Sequence, residues 1–157
     1  MNKILSSSPE RAARERKTAC RTIAFIGFDG VRTLDLTGPL EAFTAARSVA
    51  ADAEIECDYE LVVVGVNGKT FVSQSGVIFT ARQTIHSTRE FDTIIVPGGS
   101  RLQEGGTMTS LSAWLASQAP HTRRIASVCG GIYPFAQSGL LDGRQVTTHW
   151  RLAPDVA

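Results

Sequence analysis

Cys129 stands between an apolar run and two glycines, a pattern typical of a nucleophile elbow. Residues 124–128 precede it, Ser127 lies two positions before it, and Gly130 and Gly131 follow. Small neighbours are needed where a strand turns sharply into a helix and the central residue has a strained backbone. Such a turn exposes the sulfur at a helix N-terminus, where N–H groups and the helix dipole favour the thiolate. The pattern predicts an exposed, activated thiol; a buried, inert cysteine is the other interpretation.

Asp35 is a second candidate, because it follows the first predicted strand and lies between two leucines. If it faces the thiol, two negative charges share one small site and repel, so one of the two groups should hold a proton. A protonated carboxyl would then donate a hydrogen bond to the sulfur. An aspartate that caps the following helix is the other interpretation of the same residue.

Gly98 and Gly99 end a neighbouring predicted strand, and His149 ends the last one. Backbone N–H groups at the two glycines and at Gly130 could form a pocket for an anion or an oxyanion. A plain turn would use the same glycines. His149 could act as a base near neutral pH, or it could be a structural histidine. These residues complete the candidate site around Cys129.

Apolar runs alternate with amphipathic segments along the chain, which indicates an α/β domain. The predicted strands cover residues 22–27, 59–65, 91–96, 124–128 and 145–148, the predicted helices cover 34–48, 107–118 and 132–138, and an antiparallel hairpin covers 70–73 and 77–80. The hairpin carries a turn signal, Asn67-Gly68. Strands that alternate with helices form a parallel sheet with helices on both faces. Sites in such sheets lie beyond the carboxyl ends of the strands, where the first loop, the glycine pair and Cys129 should meet.

The composition is that of one globular domain, preceded by a basic tail. The chain has 157 residues, of which 43% are hydrophobic and 20% are charged. Residues 1–21 hold six basic and two acidic side chains, a charge of +4, so the rest carries −3 of the net charge of +1. The tail is interpreted as a solvated leader rather than a nucleic-acid arm, because it is short and lacks aromatic residues. We predict one domain over residues 22–157, with no basic face for nucleic acid.

The cysteines and the hydropathy indicate where the protein works. Cys20, Cys57 and Cys129 are far apart, and no C-x-x-C pair is present. This spacing argues against a disulfide framework or a zinc site and suits a reducing compartment. No stretch approaches the roughly 20 apolar residues of a membrane span. We expect a cytoplasmic protein with no metal and no cofactor.

With these segments assigned, residues 22–157 resemble the DJ-1/PfpI superfamily, whose fold is flavodoxin-like and akin to class I glutamine amidotransferases. The resemblance lies in five blocks that occur in the same order: residues 28–31 (FDGV), 34–41 (LDLTGPLE), 95–99 (IVPGG), 127–131 (SVCGG) and 138–150 (SGLLDGRQVTTHW). The chain is most similar to the N-terminal domain of AraC-family transcriptional regulators of the GlxA type. Isonitrile hydratase shares nearly the same blocks.

The resemblance implies an effector-sensing or dimerising domain of a transcriptional regulator. It implies a small-molecule effector and a homodimer, with DNA contacts made only through a C-terminal helix-turn-helix domain that is absent from this sequence. Family members continue beyond the Thr-Thr-His-Trp segment with a further helix and strand. We therefore expect the domain to be truncated at its C-terminus.

The family pattern also assigns residues. Cys129 matches the elbow cysteine, Asp35 matches the acid that hydrogen-bonds its sulfur, and Gly99 and Gly130 match the backbone positions that flank the pocket. Isonitrile hydratase and many regulators have threonine where this chain has Gly130, and the peptidase-like branch has histidine. The loss of that side chain favours sensing over turnover. A cysteine-dependent enzyme, such as an isonitrile hydratase-like lyase, is the alternative, and a redox role for the thiol is a third possibility.

Overall fold

The computed structural model describes residues 20–53, 59–87, 89–104 and 106–156. Its strands are β1 (Arg21–Gly27), β2 (Tyr59–Gly65), β3 (Thr70–Val72), β4 (Ile78–Thr80), β5 (Gln83–Thr84), β6 (Thr93–Val96) and β7 (Arg124–Ser127). Its helices are α1 (Thr33–Asp52), α2 (Gly106–Gln118), α3 (Tyr133–Gln137) and α4 (Ala153–Val156), with 3₁₀ turns at Ala119–His121 and Cys129–Ile132. The predicted tail (except Cys20 and Arg21) and Cys57 lie outside the described residues.

Five parallel strands form the central sheet, in the order β5–β2–β1–β6–β7. β1 occupies the middle, where Ile23 pairs with Leu61 on one side and Thr93 on the other. The last five residues of β1 are buried, because a central parallel strand is covered on both faces. The crossovers from β1 to β2 and from β6 to β7 run in opposite directions across the sheet. Because such crossovers are right-handed as a rule, this order is the one that puts helices on both faces. The predicted flavodoxin-like architecture is confirmed.

Helix α1 packs across the sheet through aromatic contacts. The Phe43 ring lies 6.2 Å from the Phe25 ring of β1 and 5.2 Å from Tyr59 of β2, both edge to face. Arg32 precedes the helix in an extended conformation and makes no side-chain cap. Pro39 lies inside α1, where its missing N–H leaves one helical hydrogen bond unmade. The helix therefore begins without a side-chain cap, and the aromatic contacts hold its middle on the sheet.

The hairpin of β3 and β4 forms as predicted, but its turn is not at Asn67-Gly68. Phe71 faces Phe79 across the hairpin with their rings stacked 5.5 Å apart. The turn follows Ser73, whose N–H donates to the Val77 carbonyl at 2.8 Å, and it uses Gly76 at φ +82°. The prediction for the turn was wrong because Asn67 joins β2 to β3 instead. Its side-chain amide donates to Thr107 Oγ1 at 2.7 Å.

The strand predicted at residues 145–148 does not form, and that prediction was wrong. Residues 145–147 are exposed, and Thr148 Oγ1 donates to the Cys129 carbonyl at 2.7 Å. A strand needs a neighbouring ladder, and this segment is held at the turn after β7 rather than alongside a strand. Within the described residues, no helix is long and apolar enough to cross a membrane.

Candidate functional site

The turn at Cys129 has elbow geometry. Among the described residues, Cys129 is the one non-glycine residue with a positive φ, at +52°. Val128 before it is extended, and the 3₁₀ turn Cys129–Ile132 leads directly into α3. A side chain at Gly131 would overlap the Val96 carbonyl oxygen, so this glycine lets the elbow pack against β6. The left-handed backbone costs a non-glycine residue roughly 1–2 kcal/mol, which the surrounding packing must offset.

Arg32 is the hydrogen-bond partner of the Cys129 sulfur. Its Nη1 donates to Cys129 Sγ at 3.9 Å, and Cys129 is half-buried. The backbone N–H of Arg32 donates to the Gly98 carbonyl at 2.9 Å, which ties the loop after β1 to the loop after β6. Nothing in the sequence singles out Arg32 except its place after the first strand, at the edge where such sites occur.

Asp35 meets the elbow at Gly98. Asp35 Oδ2 is buried and has no hydrogen-bond partner in the described part of the chain. A Cβ built on Gly98 would lie 3.0 Å from Asp35 Oδ2 and 2.8 Å from the backbone nitrogen of Gly130. Asp35, Gly98 and Gly130 therefore converge on one point beside Cys129. The hydrogen bond expected from the carboxyl to the sulfur is made by the Arg32 guanidinium in this structure.

Gly99 allows two loops to approach each other. A Cβ on Gly99 would lie 2.5 Å from the Gly30 carbonyl oxygen and 2.9 Å from Val31 Cα. Val31 and Gly99 form an isolated antiparallel bridge, and the Ser100 N–H donates to the Gly30 carbonyl at 3.0 Å. The glycine is needed for this approach, because any side chain would separate the loop that carries Arg32 from β6.

His149 is exposed, and its observed contacts are with its neighbours in the chain. Its Nδ1 accepts from the Arg151 N–H at 3.3 Å, and its ring stacks on Trp150 at 5.7 Å. The C-terminal segment reaches the elbow through other residues. Leu152 Cδ1 lies 3.6 Å from the position of a Cβ on Gly130, and Thr148 binds the Cys129 carbonyl.

Tyr133 also lies next to Gly130, with its Cε2 3.9 Å from the same Cβ position. Its hydroxyl donates to Asp155 Oδ2 at 3.1 Å. Burial raises the pKa of Tyr133, and the Asp155 carboxylate raises it further through this hydrogen bond and its charge. The phenol therefore keeps its proton at neutral pH and cannot act as a base.

The site thus combines a strained cysteine, a guanidinium and a buried carboxylate oxygen. A guanidinium stays protonated in proteins, so Arg32 can bind or orient an anion but cannot remove a proton. Among the described residues, no group of three or more His, Cys, Asp or Glu side chains could hold a metal ion. The arrangement places a cation next to the sulfur and a carboxyl next to the elbow.

Comparison with known proteins shows the family of the chain, and its relatives include both an enzyme and a transcriptional regulator. The DJ-1/PfpI family model matches residues 21–157. A protein from the cpoL 5′ region of Streptomyces lividans is 34% identical over 82% of this chain and 87% of its own length. Isonitrile hydratase from Pseudomonas putida is 29% identical over 82% of this chain, and the HTH-type transcriptional regulator GbdR from Pseudomonas aeruginosa is 26% identical over 83%. The matches span 52% of the hydratase and 34% of the regulator.

Solved structures show the same fold at low sequence identity. An AraC-family transcriptional regulator from Pseudomonas putida superposes with a TM-score of 0.71 and 18% identity, covering 87% of this chain and 70% of that one. Oxidized DJ-1 from Toxoplasma gondii gives a TM-score of 0.70 and 18% identity, covering 88% and 71%. At these identities the likeness concerns the architecture alone.

Proposed function

The chain belongs to the DJ-1/PfpI family, and we propose that it is the effector-sensing domain of an AraC-type transcriptional regulator. In this proposal a small molecule binds beside Cys129, in a pocket that comprises Asp35, Gly98, Gly99, Gly130 and, on the neighbouring segment, His149. The domain forms a homodimer in the cytoplasm. DNA contacts are made by a C-terminal domain outside these 157 residues.

One observation carries the proposal: the side chain that donates to the Cys129 sulfur is a cation, which cannot accept a proton. Nucleophilic catalysis by a thiol normally needs a base or an acid that exchanges protons with the substrate. Arg32 supplies neither, Gly130 adds no hydroxyl, and the Asp35 carboxyl makes no hydrogen bond to the sulfur in this structure. The similarity to an HTH-type regulator over 83% of the chain supports the same conclusion.

A screen of small molecules tests the proposal. Thermal denaturation of the wild-type protein identifies compounds that stabilise it, and mass spectrometry then measures whether each compound is consumed. A sensing domain binds its effector and releases it unchanged. Consumption that is abolished by Cys129→Ala would overturn the proposal.

The parent gene provides an independent test of the DNA-binding part. We expect the reading frame beyond codon 157, in this gene or in its close relatives, to encode a basic helix-turn-helix region. If it encodes none, the regulator proposal fails, whatever the domain binds.

A cysteine-dependent lyase of the isonitrile hydratase type is the second candidate. The strained backbone at Cys129 favours it, because strain of this kind is concentrated at active sites. The similarity to isonitrile hydratase over 82% of the chain supports it as well. Turnover of an isonitrile by the wild-type protein, and none by Cys129→Ala, would establish this function instead.

A further inference from the structure

Building on the proposed function of the pocket, we propose that Arg32 selects its ligand: a small monoanion whose carboxylate binds the guanidinium beside Cys129 Sγ. Arg32 would then be the residue that determines ligand charge. The Arg32 side chain is exposed, so a ligand arriving from solvent can reach it.

No carboxylate among the described residues forms an ion pair with Arg32. Within the described residues, the arginines that form ion pairs are Arg82, Arg89, Arg101 and Arg123. Arg32 forms none, and its guanidinium donates to the cysteine sulfur. A guanidinium presents a planar fork of N–H donors that matches a carboxylate, so an unpaired one beside a candidate nucleophile indicates an anionic ligand.

The backbone holds Arg32 in place independently of its side chain. Its N–H donates to the Gly98 carbonyl, and the residue immediately precedes the 20-residue helix α1. The N-terminus of a helix this long carries a partial positive charge, which adds to the positive potential around Arg32. The loop therefore presents two sources of positive charge in one place.

One arginine sets the charge that the ligand can carry. Arg32 is the cation in contact with Cys129 Sγ, and a single guanidinium pairs with a single carboxylate. Asp35 Oδ2, which is buried against Gly98, has no hydrogen-bond donor among the described residues. The arrangement therefore favours a small monoanion over a phosphate dianion.

Two alkylating agents of nearly equal size test the inference without knowledge of the natural ligand. Iodoacetate carries a carboxylate, whereas iodoacetamide is neutral. With either reagent the Cys129 sulfur forms a bond to carbon and iodide leaves with the bonding electrons. Because the three cysteines fall in different tryptic peptides, mass spectrometry of residues 125–144 gives the rate at Cys129 alone.

The measured quantity is the ratio of the iodoacetate rate to the iodoacetamide rate. We expect Arg32→Gln to lower this ratio roughly fivefold, in line with the loss of one partly exposed ion pair. Arg32→Lys should retain part of the preference for iodoacetate, because lysine keeps the positive charge. High salt should lower the wild-type ratio toward that of Arg32→Gln. Arg101→Gln is the matched control, because Arg101 is an exposed arginine on a neighbouring loop that pairs with Glu104.

An unchanged ratio in Arg32→Gln would overturn the inference. Equal slowing of both reagents would also overturn it, because Arg32 would then act on the thiol and not on the charge of the incoming molecule. Circular dichroism and the melting temperature show whether the variant is folded. If the ratio falls as expected but the screened compounds are consumed, the sensing proposal fails while charge selection by Arg32 stands.

Discussion

Arg32 Nη1 lies 3.9 Å from Cys129 Sγ, although 97 positions separate the two residues in the chain. The loop after β1 carries the arginine and the turn after β7 carries the cysteine, with β6 between the two strands. The contact therefore depends on the sheet order and on the bridge that Gly99 permits between the first loop and the loop after β6. It gives the thiol a permanent positive neighbour instead of a proton acceptor.

Replacing Cys129 by glycine should relieve the strain that alanine retains. Both variants remove the sulfur, but only glycine adopts φ +52° without steric cost. We expect Cys129→Gly to be more stable than Cys129→Ala by about 1 kcal/mol, the penalty of a left-handed backbone less the larger entropy of unfolded glycine. Urea denaturation of the two variants measures the difference. Equal stability would show that the elbow relaxes when its side chain shrinks.

Two adjacent glycines should respond to alanine in opposite ways. A Cβ on Gly131 overlaps the Val96 carbonyl, so Gly131→Ala should cost about 2–3 kcal/mol by forcing the elbow away from β6. A Cβ on Gly130 meets nothing closer than 3.6 Å, so Gly130→Ala should leave stability unchanged or raise it by up to about 1 kcal/mol. Chemical denaturation compares the two variants. A large loss in Gly130→Ala would contradict the elbow geometry described above.

Asp35→Ala should stabilise the protein, whereas Asp29→Ala should destabilise it. The unpartnered oxygen of Asp35 carries a burial cost of about 1–3 kcal/mol, which exceeds the roughly 0.3–1 kcal/mol that an acid gains in the first turn of α1. We expect a net gain of about 1 kcal/mol. Asp29 Oδ1 accepts from the Val72 N–H at 2.8 Å, so removing it should cost about 1 kcal/mol. Chemical denaturation gives the free energy of unfolding of both variants. A loss of stability in Asp35→Ala would mean that the buried oxygen of Asp35 accepts a hydrogen bond in the folded protein.

Asp92 should make stability depend on pH below about 4. The Arg123 guanidinium donates to both carboxylate oxygens, at 2.7 and 2.6 Å, and these hydrogen bonds lower the pKa of Asp92. A carboxyl whose pKa is lowered by folding stabilises fully above its unfolded pKa of about 3.9 and loses that contribution as the pH falls through the folded value. Asp92→Asn should therefore melt at a lower temperature than wild type at pH 7, with the gap closing toward pH 2. A gap that stays constant from pH 7 to pH 2 would exclude this carboxylate as its source.

Local patterns were sufficient for most of the fold. The predicted strands 22–27, 59–65, 91–96 and 124–128 correspond to β1, β2, β6 and β7. Buried parallel strands such as β1 and β6 are continuous apolar runs, whereas β7 lies at the edge of the sheet and is largely exposed. β5 has only two residues and carries no pattern that a sequence could reveal. The segment 145–148 has β-forming residues but pairs with no strand in the structure, so propensity alone misassigned it.

The candidate site was likewise predictable only where its residues are close together in the sequence. The elbow at Cys129 is local, since its glycines and the apolar strand are adjacent in sequence. The contact of Arg32 with the sulfur is not local. In the sequence, a single arginine in a loop cannot be distinguished from a solvated surface residue, and only the topology of the sheet brings it to Cys129. The close approach at Gly99 is equally invisible, since the same glycine pair is compatible with a plain turn.

The hydrogen bond from the Arg32 backbone to the Gly98 carbonyl has an evolutionary consequence. It is made by the main chain, so every residue except proline can form it, and position 32 can change its side chain while the loop keeps its shape. Gly98 and Gly131 have no such latitude, because a Cβ on either glycine would collide with backbone atoms at the elbow. Position 32 is thus a place where the preference of the pocket for charge can diverge among descendants of one ancestor without loss of the fold.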